Sequence, residues 1–154
     1  MDISELINKN LVDLKLEGET QEEVITALAN LLAAEDKITS RPQFKQAVLQ
    51  REEEGTTGFG QGVAIPHCKS SAVQEISIAV GKLKQPVDWD AMDDNPVRFV
   101  IMLAIPADKA NKAHIQILSK ISGRLMEDEF VERLLAVNSP KELIKLLSED
   151  QKAS

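Results

Sequence analysis

The sequence predicts an α/β fold with a single mixed, largely parallel sheet and helices on both faces, which is a three-layer sandwich. Segments with strand patterns alternate along the chain with segments of helical periodicity, an order typical of this class. In addition, Val97 to Ile105 is apolar except at Arg98, as expected for a strand covered on both faces. A chain of 154 residues is long enough to bury such a core in one domain. We place that domain at residues 1–148 and interpret residues 149–154 as a polar tail or linker.

The N-terminal segment predicts two short elements and then a strand. Asp2 is suited to cap a short helix from Ile3 to about Ile7, and Asn8 to Asn10 reads as a turn. Apolar and charged residues alternate in Leu11 to Leu16, which predicts a strand with one buried face.

Two helices follow, each with a recognisable start. Thr20 and Glu23 fit a capping box, and Ser40 and Gln43 repeat the pattern with a proline in the first turn. We expect the second helix to run to about Glu54. The residues expected on the buried faces are Val24, Ala27, Leu28, Leu31 and Leu32 in the first helix and Phe44, Ala47 and Val48 in the second.

The stretch from Gly55 to His67 combines four glycines with two threonines and a histidine. Glycine lets the backbone turn tightly and approach other groups closely. Val63 to Ile65 predicts a short buried strand that Pro66 ends, which brings His67 to the end of a sheet. A histidine reached through exposed peptide groups is well placed to meet an anion or a phosphoryl group, although an ordinary surface histidine fits the same position.

The chain after His67 predicts a polar link, a strand, a loop and the apolar strand already described. Lys69 to Gln74 is polar, and apolar residues then alternate with smaller ones from Ile76 to Val80. Pro86 to Asn95 contains the tryptophan and several aspartates, so we expect a loop with room for one helical turn.

Three helices are predicted in the last part of the chain. The apolar stripe of the first extends from Asn111 to Met126, with His114 near its start. The second is expected to be capped by Asp128 and to run through Val137. The last helix has a full start signal, which consists of Ser139, Pro140 and Glu142.

Composition and charge limit the classes of partner. The formal net charge is −7 and no cluster of lysine or arginine interrupts the acidic balance, so nucleic acid is not an expected partner. The longest apolar run, Phe99 to Ile105, is far shorter than the roughly 20 residues of a membrane helix. The N-terminus lacks the features of a signal peptide, and Cys68 is the single cysteine. Together these features predict a cytoplasmic protein.

Several kinds of site are disfavoured by the residues present. The GFGQG segment has the wrong glycine spacing for a dinucleotide fingerprint, and no P-loop sequence is present. Only two histidines and one cysteine occur, so a structural zinc site would have to recruit carboxylates. We therefore predict no metal and no cofactor. Cys68 follows His67 directly, and adjacent residues of an extended segment point to opposite sides, which weakens a thiol nucleophile at this site.

What remains is a neutral imidazole at His67 as the nucleophile. An unprotonated ring nitrogen is available near neutral pH to attack a phosphoryl group, and the added negative charge must then be offset. Arg51, Thr57, loop N–H groups and His114 are candidates for that role. Each also has a structural interpretation: a solvated helix end for Arg51, a turn for Thr57 and a hydrogen-bonded core residue for His114.

These residues resemble a known family. The similarity covers nearly the whole chain and includes Arg51-Glu52, Thr57-Gly58, Gly60, the run from Gly62 to His67, and His114. On these motifs the chain resembles the enzyme IIA domains of the fructose and mannitol class in the bacterial phosphoenolpyruvate-dependent sugar phosphotransferase system. Position 68 is commonly a small residue in that family, so Cys68 is a departure.

The resemblance implies a function and a set of site residues. It implies that His67 accepts a phosphoryl group from the phosphohistidine of HPr and passes it to a cysteine of a IIB domain, which works with a membrane IIC permease. By the same resemblance His114 stabilises the phosphorylated state and Arg51 contacts the phosphoryl group or orients the loop. The residues expected to bind the phosphoryl group are Thr57, Gly58, Gly60 and Gly62.

Three functional hypotheses stay open on the sequence. The first is a sugar-transport phosphocarrier, for which fructose is favoured by family similarity. The second is a regulatory paralogue resembling the nitrogen-related IIA proteins, in which the phosphorylation state controls protein partners. The third is a ligand-binding module in which His67 stays unmodified.

Overall fold

Strand β6 (Val97–Pro106) is the strand around which the sheet is built. In the computed structural model, which describes residues 3–108 and 112–149, β6 pairs antiparallel with β5 (Ser77–Val87). Along its other edge it pairs in parallel, first with β3 (Val63–Ala64) and then with β4 (His67–Ser70). The apolar run of the sequence is therefore the central strand, as its two-sided burial requires.

Two outer strands complete the sheet of the described residues. β1 (Val12–Leu16) pairs in parallel with β5, and β2 (Gly58–Gly60) pairs antiparallel with β3. Three of these five pairings are parallel, although the longest, between β5 and β6, is antiparallel. The predicted three-layer α/β sandwich with a mixed sheet is confirmed.

Five α-helices occur in the described residues: α1 (Gln21–Ala34), α2 (Arg41–Glu53), α3 (Lys112–Leu125), α4 (Asp128–Leu135) and α5 (Pro140–Ser148). α1 packs against β1 and β5, and α2 packs against α1 and β4. The end of α2 is thereby placed beside the strand that begins with His67.

Three of the predicted helix starts are confirmed. The hydroxyl oxygens of Thr20, Ser40 and Ser139 each accept a hydrogen bond from the backbone N–H three residues later. The start of α4 was predicted wrongly. Asp128 is its first helical residue, and Glu127 occupies the capping position without a side-chain hydrogen bond.

The N-terminal segment differs from the prediction. A 3₁₀ turn at Ile3–Glu5 replaces the longer helix, and a second at Lys9–Leu11 replaces the simple turn. Asn8 caps this second turn by accepting the N–H of Asn10 at 2.8 Å. The proposed cap Asp2 and the helix start at Asn111 lie outside the described residues.

The largest correction concerns the segment around His67. Part of the glycine-rich stretch is strand β2. Strand β4 includes Lys69 and Ser70, the first two residues of the polar link that was expected from Lys69 to Gln74. Pro66 lacks an N–H and so interrupts the ladder, but its carbonyl still accepts the N–H of Leu103 at 2.9 Å. The predicted short strand before His67 is therefore present as β3, and the chain continues along β6 after Pro66 so that His67 also begins β4.

Strand β5 is also longer than predicted, because it includes Pro86 and Val87. The register of β5 against β6 shifts between Lys82 and Val87. A proline is tolerated at such an irregularity, where its missing N–H does not break a regular ladder. The predicted loop accordingly begins at Asp88.

The core lies between the sheet and the helices. Buried residues of α1 include Ile25 and Ala29, which the predicted stripe did not contain, whereas Ala27 and Leu31 are half-buried. Ala47 of α2 is half-buried as well. Burial of α1 on a wider face than predicted follows from its contacts with both the sheet and α2.

The division into a domain at 1–148 and a tail stays a prediction, and residues 150–154 lie outside the described part of the chain. Glu149, the first tail residue that is described, is held to the fold. Its carbonyl accepts a hydrogen bond from Nη1 of Arg124 at 2.7 Å, and its carboxylate pairs with Arg133.

Within 3–108 and 112–149, no helix combines the length and apolar character that a membrane crossing needs.

Two methionines offer a matched test of the core. Met102 of β6 is fully buried, whereas Met92 in the loop before β6 is 79% exposed. Met102→Ala should lower the free energy of unfolding by about 2–5 kcal/mol because it leaves a cavity in close-packed surroundings. Met92→Ala should change it by less than about 0.5 kcal/mol. Denaturant unfolding of both variants measures the difference, and equal effects would contradict the placement of β6 at the centre.

Candidate functional site

A cavity of about 550 Å³ lies where the end of α2, the start of β4 and the start of α3 meet. It brings together three of the residues singled out in the sequence, His67, His114 and Arg51. The described residues that line it are Ala47, Gln50, Arg51, Glu53, Glu54, His67, Cys68, Lys69 and His114.

His67 is held in a defined orientation by the backbone before it. Its Nδ1 lies 2.9 Å from the carbonyl oxygen of Ile65. Because a carbonyl can only accept, the proton of a neutral ring is assigned to Nδ1, and Nε2 then carries the lone pair. The backbone of Pro66 is in turn fixed to β6 through Leu103.

His114 reaches the same cavity from the first turn of α3. The centroids of the His67 and His114 rings are 5.9 Å apart, and the ring planes are inclined at 46°. Both ring nitrogens of His114 are shielded from solvent, and neither has a hydrogen-bond partner among the described residues. Buried nitrogens of this kind normally have a partner, so they are suited to contact a group that enters the cavity.

Both imidazoles are biased towards the neutral form. Burial is the largest effect and lowers the pKa of His67, and the hydrogen bond to Ile65 opposes it in part. The positive charge of Arg51 lowers the pKa by a smaller amount, and the Glu52 carboxylate raises it by the smallest. Burial also lowers the pKa of His114, aided by His67 and Lys69. A neutral ring at His67 keeps its Nε2 lone pair available at neutral pH.

Charged side chains of both signs surround these rings. Among the described lining residues, Arg51 and Lys69 are basic and Glu53 and Glu54 are acidic. Arg51 is half-buried, and its Nη1 donates to the carbonyl of Gly55 at 2.9 Å, which closes the end of α2. The guanidinium is thus held beside the cavity.

Cys68 has a different environment from its neighbours. It is buried, and burial raises the pKa of its thiol to about 12. The β4 alternation places His67 and Lys69 away from the core and Cys68 and Ser70 in it.

Among the described residues, no group of three or more His, Cys, Asp or Glu side chains is arranged to hold a metal ion.

The four residues expected to bind a phosphoryl group do not line the cavity. Thr57 is 6% exposed and faces Glu52 and Trp89, while Gly58, Gly60 and Gly62 belong to the β2–β3 turn region. A Cβ at Gly58 would lie 2.8 Å from the Cα of Ala91, so this glycine permits close packing of the 88–96 loop. These four residues therefore lie outside the set that lines the cavity with the two imidazoles.

Gln50, Glu53, Glu54 and Lys69 line the cavity but were not predicted as site residues, and Lys69 is the one of these that lies on β4. It lies two positions after His67 on β4, and residues at this spacing share a face of a strand. The signal was missed because Lys69 to Gln74 was interpreted as a link and not as a strand. With β4 recognised, the alternation alone would have indicated Lys69.

Comparison with known proteins identifies the family. A family model described as "Phosphoenolpyruvate-dependent sugar phosphotransferase system, EIIA 2" matches residues 5–150. The chain therefore belongs to the type 2 EIIA family of this phosphotransferase system, and the resemblance seen in the sequence is confirmed.

Relatives within the family have different names. The chain is 35% identical to the "PTS system fructose-specific EIIABC component" of Bacillus subtilis (strain 168), over 99% of this chain but only 24% of that protein. It is also 35% identical to the "PTS system fructose-specific EIIA component" of Haloferax volcanii, covering 96% of both chains. The crystal structure of nitrogen regulatory protein IIA-Ntr from Neisseria meningitidis superimposes with a TM-score of 0.88 at 30% identity, covering 94% of this chain and 98% of that one.

A proton titration tests the electrostatics of the cavity. Because burial dominates, both histidines should titrate below the ordinary value of 6.5. Each is then mostly neutral at pH 7. As the pH falls, the unfolded state binds a proton first, so stability declines from about the ordinary value of 6.5 down through the lowered pKa of the folded state. NMR of the Cε1–H signals measures both midpoints, and His114→Gln assigns the two signals. A midpoint at or above 6.5 for His67 would contradict this description of the cavity.

Proposed function

We propose that the protein is a phosphoryl carrier of a sugar phosphotransferase system. His67 accepts a phosphoryl group from the phosphohistidine of HPr and passes it to a cysteine of a IIB domain. The observation that carries the proposal is the orientation of His67: Nδ1 is occupied by the Ile65 carbonyl, so the lone pair of Nε2 remains for attack beside His114. A half-buried neutral imidazole is a competent nucleophile at neutral pH.

The transfer step balances without a co-reactant. The Nε2 lone pair of His67 attacks phosphorus as the N–P bond of the donor breaks, and the electron pair of that bond returns to the donor ring. A donor ring protonated on its other nitrogen leaves as neutral imidazole. The ring of His67 takes over its positive charge, and the Nδ1 proton stays in the hydrogen bond to Ile65. Phosphoryl transfer of this kind depends mainly on positioning and charge stabilisation.

The lining side chains are suited to hold the transferred group without trapping it. Arg51 and Lys69 offset the added negative charge, and an N–H of His114 can donate to a phosphoryl oxygen. Glu53 and Glu54 line the same cavity and oppose a very stable complex. Because a relay protein must release its phosphoryl group to the next carrier, a moderate balance of charges fits this function better than a purely cationic site.

The partners and the sugar are proposed from the relatives. Two relatives at 35% identity carry the word fructose in their names, so we propose fructose uptake, with a IIB domain as acceptor and a IIC permease as an indirect partner in a cytoplasmic relay. The net charge of −7 supports protein partners with basic surfaces and gives no support to nucleic acid.

A regulatory carrier is the second candidate. It is favoured by the similarity to the nitrogen regulatory protein of Neisseria meningitidis, which has a TM-score of 0.88 at 30% identity. In that case the same phosphohistidine would control binding to other proteins instead of supplying a IIB domain.

The acceptor histidine is tested by substitution. Incubation with phosphoenolpyruvate, enzyme I and HPr should add the mass of one phosphoryl group to the wild-type protein and none to His67→Ala. The matched control is His114→Ala, which keeps Nε2 of His67 and should still be phosphorylated, but more slowly. Intact-protein mass spectrometry over time measures both. Phosphorylation of His67→Ala, or none of the wild type, would refute the proposal.

The two candidate functions are separated by the acceptor. The phosphorylated protein should transfer its group to at least one member of a panel of purified IIB proteins, with the fructose type fastest. Loss of label from this protein and gain by the IIB cysteine measure the transfer. Efficient phosphorylation without transfer to any IIB protein, together with phosphorylation-sensitive binding to a regulator, would favour the regulatory function.

A further inference from the structure

We propose that Glu52, Thr57 and Trp89 form a positioning network that fixes the orientation of the His67 imidazole and its placement relative to Arg51. This inference rests on the proposed function for its effect on phosphoryl transfer, but its effect on the ring of His67 is independent of it. Thr57 does not line the cavity. In this network it acts indirectly, by positioning residues that do.

The first link joins the end of α2 to the start of β2. One carboxylate oxygen of Glu52 accepts the backbone N–H of Thr57 at 3.1 Å, and the other accepts its hydroxyl in a close contact. Both oxygens of the carboxylate are thereby engaged by one residue. Glu52 follows Arg51 directly in α2, so this pairing fixes the turn of helix that carries the guanidinium.

The second link determines which way the hydroxyl of Thr57 points. Trp89 is 2% exposed, and its Nε1–H donates to Oγ1 of Thr57 at 3.2 Å. Since indole N–H can only donate, Oγ1 accepts from Trp89 and is left to donate to Glu52. The hydroxyl is therefore held in one rotameric and hydrogen-bonding state.

The third link runs from Thr57 to the imidazole through the backbone. The carbonyl of Thr57 accepts the N–H of Ile65 at 3.0 Å, and the carbonyl of Ile65 lies 2.9 Å from Nδ1 of His67. Leu103 holds the opposite side of this segment through Pro66. The carbonyl that selects the tautomer of His67 is thus placed between a central strand and the Glu52–Thr57 pair.

The consequence is that Arg51 and His67 are positioned by the same pair of side chains. Arg51 is fixed from the helix side by Glu52, and His67 is fixed from the strand side by Thr57. A displacement of about 1 Å at a reacting group can lower a rate by about a hundredfold, so loss of the pair should impair transfer without removing a cavity residue.

The test compares Thr57→Val, which removes the hydroxyl and retains the shape, with Thr57→Ser, which retains the hydroxyl. Thr26→Val is the matched control, because the hydroxyl of Thr26 donates to Glu22 within α1 and does not line the cavity. Long-range ¹H–¹⁵N correlations of labelled histidine report the tautomer of His67, and quenched-flow transfer from phosphorylated HPr reports the rate.

The wild type, Thr57→Ser and Thr26→Val should show a single Nδ1–H tautomer and rates within about twofold of each other. Thr57→Val should show mixed tautomers and a rate lowered about tenfold to a hundredfold. If Thr57→Val does not fold, Trp89→Phe tests the same network by removing one donor, and it should shift the tautomer in the same direction.

Two results would overturn the proposal: a wild-type tautomer in folded Thr57→Val or Trp89→Phe, or mixed tautomers with an unchanged transfer rate. An unchanged tautomer overturns the proposal even if the transfer rate of the variant is lowered. If the wild type accepts no phosphoryl group at all, the proposed function fails, whereas the tautomer measurement still decides whether the network positions His67.

Discussion

The parallel pairing of β3 and β4 with β6 is the constraint on which the rest of the site depends. It holds the segment from Val63 to Ser70 along one edge of the central strand in spite of the proline in its middle. The Pro66 carbonyl bonds to Leu103 of β6, whereas the Ile65 N–H bonds to Thr57 and the Ile65 carbonyl is the partner of the His67 ring. The imidazole is therefore oriented by the short segment that joins β3 to β4.

Burial of the cavity affects both the protonation state of its histidines and the strength with which it binds a negatively charged group. Burial lowers the pKa of both histidines and so favours the uncharged rings that a nucleophile requires. In the proposed phosphorylated state the same low-solvent environment would contain a negatively charged group, and the low dielectric would strengthen the attraction of that group to Arg51 and Lys69. Glu53 and Glu54 reduce that gain. The cavity thus has features that suit a group held only between two transfers.

The errors of sequence interpretation have a common origin in the backbone. Pro66 normally indicates the end of a strand, and the glycines around it indicate a loop, because local preferences favour turns at both residue types. Strand pairing outweighed these preferences: β2 forms against β3, and β4 forms against β6. The predicted helix starts at Thr20, Ser40 and Ser139 agree with the structure. Each start depends on contacts within one helical turn, and the residues that make those contacts are adjacent in the sequence.

By itself the sequence determined the α/β class, the family, the central apolar strand and the two histidines and arginine that now line one cavity. These depend on composition, periodicity and motif residues, which need no knowledge of neighbours in space. Only the tertiary structure decided that Lys69 lines the cavity and that Thr57 faces Glu52 and Trp89. The reason is physical: which side of the backbone a residue faces depends on strand register and on what packs against it, and both are fixed by residues distant in the chain.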